Sequence, residues 1–291
     1  MERHEDAVRR RHFGWRIGDL GINKNVDSSK AGVHLCQPDL QKSCGWCCGL
    51  YNVGDASKEA LVRKLRARTE KFAATDRTVK GIEDFSDKIA SAEESQLLDV
   101  SLYSCEFVGF LDSDETRVGC MLHPLAGGNK SIDYRGLSFH GSMACRGFFC
   151  RSYRELSGAE KGVVLGTIRD WYLYGLVISD TDYAKSFFGL AEQRLGRQLD
   201  LSRLLVPPAS ELVHDFFHWK VDWPYRNHNS NPKPCSVSTG SGVKQADNTQ
   251  EPPALMDMIF GCLGSKFKSR AEHSCAKQKV HQLFSRLSKL L

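Results

Sequence analysis

A chain of 291 residues with 41% apolar and 26% charged residues has the make-up of a globular protein, long enough for one large domain or two small ones. No apolar run reaches the roughly eighteen residues a membrane span needs, because the best candidate, 162–178, is cut by Arg169 and Asp170. The net charge of +5 sits at one end: residues 265–291 set Lys266, Lys268, Arg270, Lys277, Lys279, Arg286 and Lys289 against Glu272 alone. The rest of the chain is therefore near neutral, and a basic body suited to nucleic acid is excluded.

In chain order, residues 1–35 read as an irregular arm. No apolar stretch follows Met1, so neither a signal peptide nor an anchor is expected, and the cytoplasm, where thiols stay reduced, is the expected compartment. Residues 36–54 are loop, broken by Pro38, Gly45, Gly49 and Gly54. Asp55 is placed to cap a helix to about Ala73, with Leu61, Leu65 and Phe72 on one face. A second helix with a weak apolar face is expected over 78–94. The stretches 106–111 and 117–123 flank the polar connection Asp112-Ser-Asp-Glu-Thr116, which predicts a β-hairpin. Residues 125–142 read as loop.

Ser157 and Glu160 make a capping box ahead of a helix expected to reach about Ile178, with Val164, Ile168, Trp171, Gly175 and Ile178 on one face. Another helix is expected from Asp180 or Thr181 to Leu195. After Pro207-Pro208, Leu212, Phe216, Trp219 and Trp223 repeat at helical spacing. Residues 227–253, rich in Asn, Ser, Gly and Pro, read as a flexible linker. Residues 254–291 regain helical character, with Val280, Phe284, Leu287 and Leu291 opposite Lys277, Lys279 and Arg286. That basic amphipathic segment either docks by its apolar stripe or meets an acidic protein, a nucleic-acid backbone or an anionic membrane surface.

The chemistry lies in the cysteines. Eight of eleven fall in three groups: Cys36, Cys44, Cys47 and Cys48; Cys105 and Cys120; Cys145 and Cys150. Cys44-Gly-Trp-Cys47 has the two-residue spacer that lets two sulfurs reach one metal from a tight turn, and Gly45 is expected to supply positive φ there. Adjacent side chains diverge, so Cys48 is expected to serve a second metal or another face of a cluster. The hairpin is expected to bring Cys120 beside Cys105, and a turn at Gly147 to bring Cys145 beside Cys150. Eight thiolates suffice for two tetrahedral centres, or for one 4Fe-4S cluster with ligands to spare. The negative charge of such a site needs cations, for which Arg146 and Arg151 are candidates. Ordinary buried cysteines and a redox-active thiol set are the alternatives.

The stretches Ser43-Cys-Gly-Trp-Cys-Cys-Gly49, Cys105-Glu-Phe-Val-Gly-Phe-Leu111, Val118-Gly-Cys-Met-Leu-His-Pro124 and Cys145-Arg-Gly-Phe-Phe-Cys150 together resemble the CxxCxxCC cysteine-cluster family of zinc- or iron-chelating proteins. The resemblance covers about residues 36–152. It departs at Cys36, which seven residues separate from Cys44, and at Ser142-Met-Ala144, where the family often has Arg-Pro. One branch of that family is similar to flagellin lysine methylases, which makes redox or methyl-transfer catalysis an alternative.

Other candidates are weaker. His123 follows Cys120 in a Cys-x2-His spacing that could complete a mixed site, with His34 and His140 behind it. His214-Asp-Phe-Phe-His218 puts two imidazoles one turn apart, but opposite the helix's apolar face and with Asp where a metalloprotease has Glu. Cys235, Cys262 and Cys275 are not expected to be ligands. The expected fold is mainly α with a small β-hairpin: a cysteine-rich, metal-centred module packed on a helical core within residues 36–226. The expected function is chelation of zinc or iron. An enzyme using the cluster, or a regulatory protein acting through its basic C-terminal helix, stands as the alternative.

Overall fold

The structure, a computed structural model, describes residues 34–99, 102, 104–138, 141, 145, 148–227 and 254–291. The expected arm (1–35) and linker (227–253) lie almost wholly outside the described residues, as do Cys235, His140, Arg146 and Gly147. The described residues form one compact unit, assigned to Gly32–Leu291. It is mainly helical with one small antiparallel hairpin.

Helix α1 (Lys58–Ala73) buries Leu61, Leu65, Arg68 and Phe72. Its cap is Ser57 and not Asp55: Ser57 Oγ accepts the Ala60 N–H at 3.3 Å, while Asp55 Oδ1 is taken by the Ser57 N–H at 3.0 Å. Helix α2 (Val79–Glu93) buries Ile82, Phe85 and Ile89 at three- and four-residue spacing. That face is firmer than its sequence suggests, because the charged outer residues mask the stripe. Strands β1 (Val108–Phe110) and β2 (Val118–Cys120) pair antiparallel with Val108 opposite Cys120.

Helix α3 (Arg151–Glu155) is a short turn before the capping box, which forms fully: Glu160 donates its N–H to Ser157 Oγ at 3.1 Å and Ser157 donates to Glu160 Oε2 at 2.7 Å. The helix it opens, α4 (Gly158–Thr167), stops well short of Ile178. Ile168 turns extended, and Asp170 caps a new helix, α5 (Trp171–Ile178), accepting the N–H groups of Tyr172 and Leu173 at 3.1 Å each. A short carboxylate that bonds nearby backbone competes with helix continuation, and here it wins. Helix α6 (Thr181–Leu195) is capped by Asp180 and closed by Gly196 at φ 63°. Helices α7 (Ala209–Asp222), α8 (Leu255–Cys262) and α9 (Arg270–Ser288) complete the bundle.

Two apolar clusters result. The first joins α4, α6, α7, α8 and α9 around Phe187, Phe216, Phe217 and Phe284, and takes Val280, Phe284 and Leu287 of the basic segment. The second joins Leu50 and Tyr51 to α1, α2 and the hairpin around Phe72, Phe85 and Phe107. Helix α5 is buried all round and feeds both: Leu173, Tyr174, Val177 and Ile178 enter the first, Trp171, Tyr172 and Leu176 the second. A helix apolar on every side has to sit between two partners. The seam between the clusters is where the cysteines gather.

Candidate metal centre

Residues 44–51 cross this seam in a tight loop. Trp46–Cys48 form one turn of 3-10 helix, closed by Gly49 at φ 75°. Gly45 has φ −109°, so the expected positive φ belongs to Gly49. Gly45 is needed for space instead: a β-carbon there would stand 2.9 Å from Leu50 Cδ2.

The loop distributes its sulfurs to opposite sides. Cys44 packs against the first apolar cluster, as does Cys150. Cys48 packs against the second, with Cys105 and Cys120. The backbone repeats the division. Cys44 donates its N–H to the Cys36 carbonyl at 2.9 Å, and Cys105 donates to the Cys48 carbonyl at 2.8 Å. Cys105 lies three residues ahead of Val108, the β1 partner of Cys120, and both pack against the second cluster. Cys150 is the N-cap of α3 and makes no side-chain capping bond.

The thiols also feel one another. Burial pushes Cys36 up to about 11, with Cys150 adding. Burial pushes Cys47 up to about 12, helped by Cys150 and Cys36 and more weakly by Cys145. Cys44 is raised well above the ordinary range by burial, then by Cys36, Cys47 and Cys150. Cys48 is raised as strongly by burial, then by Cys105 and Cys120 ahead of Cys36 and Cys47. Burial takes Cys120 to about 12, with Cys105 and Cys145 adding. Thiolates so crowded repel, and without a cation the protonated forms win.

Opposing this, the backbone N–H of Trp46 stabilises the Cys44 sulfur and that of Leu122 the Cys120 sulfur, each two residues on. Both turns thus aim an amide at the sulfur of a Cys-x2-Cys or Cys-x2-His step, an arrangement that favours thiolate.

The cations differ from those expected. Arg151 is occupied by Glu155 and Asp182, each at 2.8 Å. Lys161 stands beside Cys150 instead, its Nζ donating to the Tyr153 carbonyl at 2.6 Å. Arg135, gripped in two places by Asp133, stands by Cys120 and Cys145. Neither is adjacent to a cysteine in sequence, and the only signal for Lys161 is a basic residue on a helix face otherwise apolar.

No three His, Cys, Asp or Glu side chains stand at metal-holding separation among the described residues. Among the described residues the sulfurs share a neighbourhood without three of them standing at ligand distances from one another. Cys36, Cys47 and Cys145 keep exposed surface, although the protein packed around the Cys36 and Cys47 sulfurs is enough to raise their pKa.

The remaining candidates fall elsewhere. His123 accepts the Leu125 N–H at its Nδ1 at 3.2 Å. Its pKa is lowered by burial and by Arg135, and slightly by His34, which sits near it. His214 and His218 stack at 5.6 Å between ring centroids, and His218 Nδ1 lies 3.3 Å from Asp222. Cys262 is buried in the first cluster and Cys275 is exposed on α9, both away from the site. Compared with family models, curated proteins and solved structures, the chain finds no match.

Proposed function

We propose that this protein binds zinc or iron through Cys36, Cys44, Cys47, Cys48, Cys105, Cys120, Cys145 and Cys150. The observation that carries this reading is the gathering of thiols from separated segments of the chain where the two apolar clusters meet, Cys44 and Cys150 on one and Cys48, Cys105 and Cys120 on the other, with Cys36 bonded to Cys44 through the backbone. A cation bound among them would offset the repulsion between thiolates and favour their deprotonated forms. The amides aimed at Cys44 and Cys120, and the nearby Lys161 and Arg135, supply the outer support such a centre needs. The motif order resembling the CxxCxxCC family points the same way. Bound zinc would be structural or Lewis-acidic, and bound iron would supply redox chemistry. Thiols in this number suit a reducing compartment, so we place the protein in the cytoplasm.

The test is elemental analysis with an absorption spectrum on protein purified without oxygen. Zinc in colourless protein, or iron with acid-labile sulfide and a broad band near about 400 nm, supports the reading. Protein that stays metal-free after anaerobic incubation with each ion overturns it.

A further inference from the structure

Resting on that metal-binding reading, we propose that the eight cysteines form two separate four-thiolate sites, one against each apolar cluster. Cys36, Cys44, Cys47 and Cys150 make the first, and Cys48, Cys105, Cys120 and Cys145 the second. The division follows the packing: Cys44 and Cys150 belong to the first cluster, Cys48, Cys105 and Cys120 to the second. It follows the backbone bonds, which join Cys36 to Cys44 and Cys48 to Cys105. It also follows the cations, Lys161 beside Cys150 and Arg135 beside Cys120 and Cys145.

Cys145 completes the second set, which otherwise holds three thiols, the first having four in Cys36, Cys44, Cys47 and Cys150. Cys48 packs on the second cluster while Cys47 stays exposed, so the chain crosses from one site to the other at that peptide bond. Four thiolates without a sulfide bridge is the ligand set of a closed, tetrahedral, zinc-class centre.

The experiment loads reduced, metal-free full-length chain with zinc and, separately, cobalt(II) under anaerobic conditions. It counts metal per chain for the parent, Cys150→Ala and Cys105→Ala. The expected result is about two metals in the parent and about one in each variant, with four sulfurs around each zinc by X-ray absorption. One metal in the parent, or about four irons with sulfide on iron loading, overturns the division but leaves the metal-binding reading standing. Loss of both metals in variants with parental helical circular dichroism also overturns the division. No metal in the parent overturns both. If a variant fails to fold, the parent still decides: fewer than two zinc ions, or fewer than four sulfurs per zinc, rejects the two-site arrangement.

Discussion

The Tyr51 hydroxyl lies where a β-carbon on Gly175 would have to go, and it donates to the Tyr172 carbonyl at 3.2 Å. This close approach seats the cysteine loop on the buried helix α5. An alanine inside a helix ordinarily gains about 1 kcal/mol over glycine, whereas overpacking a filled core costs about 1–3 kcal/mol. Gly175→Ala is therefore expected to destabilise, and Tyr51→Phe in the same chain to restore part of the loss by removing the clashing oxygen. Urea denaturation of the two single variants and the double one checks this. A more stable Gly175→Ala chain would show the contact to be unimportant.

Lys220 is wholly buried, with its Nζ 2.5 Å from Asp180 Oδ2 and 2.8 Å from the Cys262 carbonyl. Asp180 meanwhile caps α6, so one carboxylate ties α6 to α7 and, through the lysine, to α8. Removing one partner of a buried pair strands the other charge. Lys220→Met is expected to cost about 3–5 kcal/mol. Adding Asp180→Asn, which keeps a capping oxygen, should recover part of it. A loss under about 1 kcal/mol for Lys220→Met would contradict the stranded-charge account.

Glu93 receives Arg68 at 2.8 and 2.5 Å and Lys64 at 2.6 Å. Burial pushes its carboxyl up, but the bonds from Arg68 and Lys64 outweigh that and hold it below the usual range. A depressed folded pKa contributes stability above the unfolded value, lost as pH falls through the folded one. Arg68 also donates to the Cys105 carbonyl at 2.8 Å, so acid should loosen the hairpin cysteines along with α2. Glu93→Gln should lose about 1.5–3 kcal/mol at neutral pH and flatten the acid limb of the stability profile below about pH 4.5. Parallel acid limbs in the two proteins would refute this.

The metal-free protein should weaken in alkali. Cys44, Cys48 and Cys120 are all raised in the folded chain, so the unfolded chain loses its protons first. Their contribution is present below about pH 8.5, the free-thiol value, and is lost as pH rises toward the folded values. Metal uptake must displace those protons, so zinc affinity should climb with pH while protons appear in an unbuffered solution. Calorimetry in buffers of different ionisation enthalpy measures the release, and a buffer-independent heat would count against thiol ligation.

Local rules determined much of this from sequence. The Ser157–Glu160 capping box, the hairpin flanking 112–116, the start of α6 at Asp180 and the stripe Leu212, Phe216, Trp219 and Trp223 are set by neighbouring residues, whose spacing fixes which backbone groups meet. The cysteine spacings likewise marked which thiols to look for, and packing gathers them only in part: Cys44, Cys48, Cys105, Cys120 and Cys150 pack on the clusters and Cys36 bonds to Cys44. Only tertiary packing decided where the helix after Ser157 ends. The periodicity runs unbroken to Ile178, but α5 must lie between two cores, and Asp170 can cap it only if the chain bends at Ile168. Packing also chose Lys161 and Arg135 over Arg151, because a cation's neighbour in space depends on which helix carries it past the seam. The division of the thiols between two apolar clusters has the same origin. Cys47 and Cys48 are adjacent in the chain, and only the cores on either side give them different company.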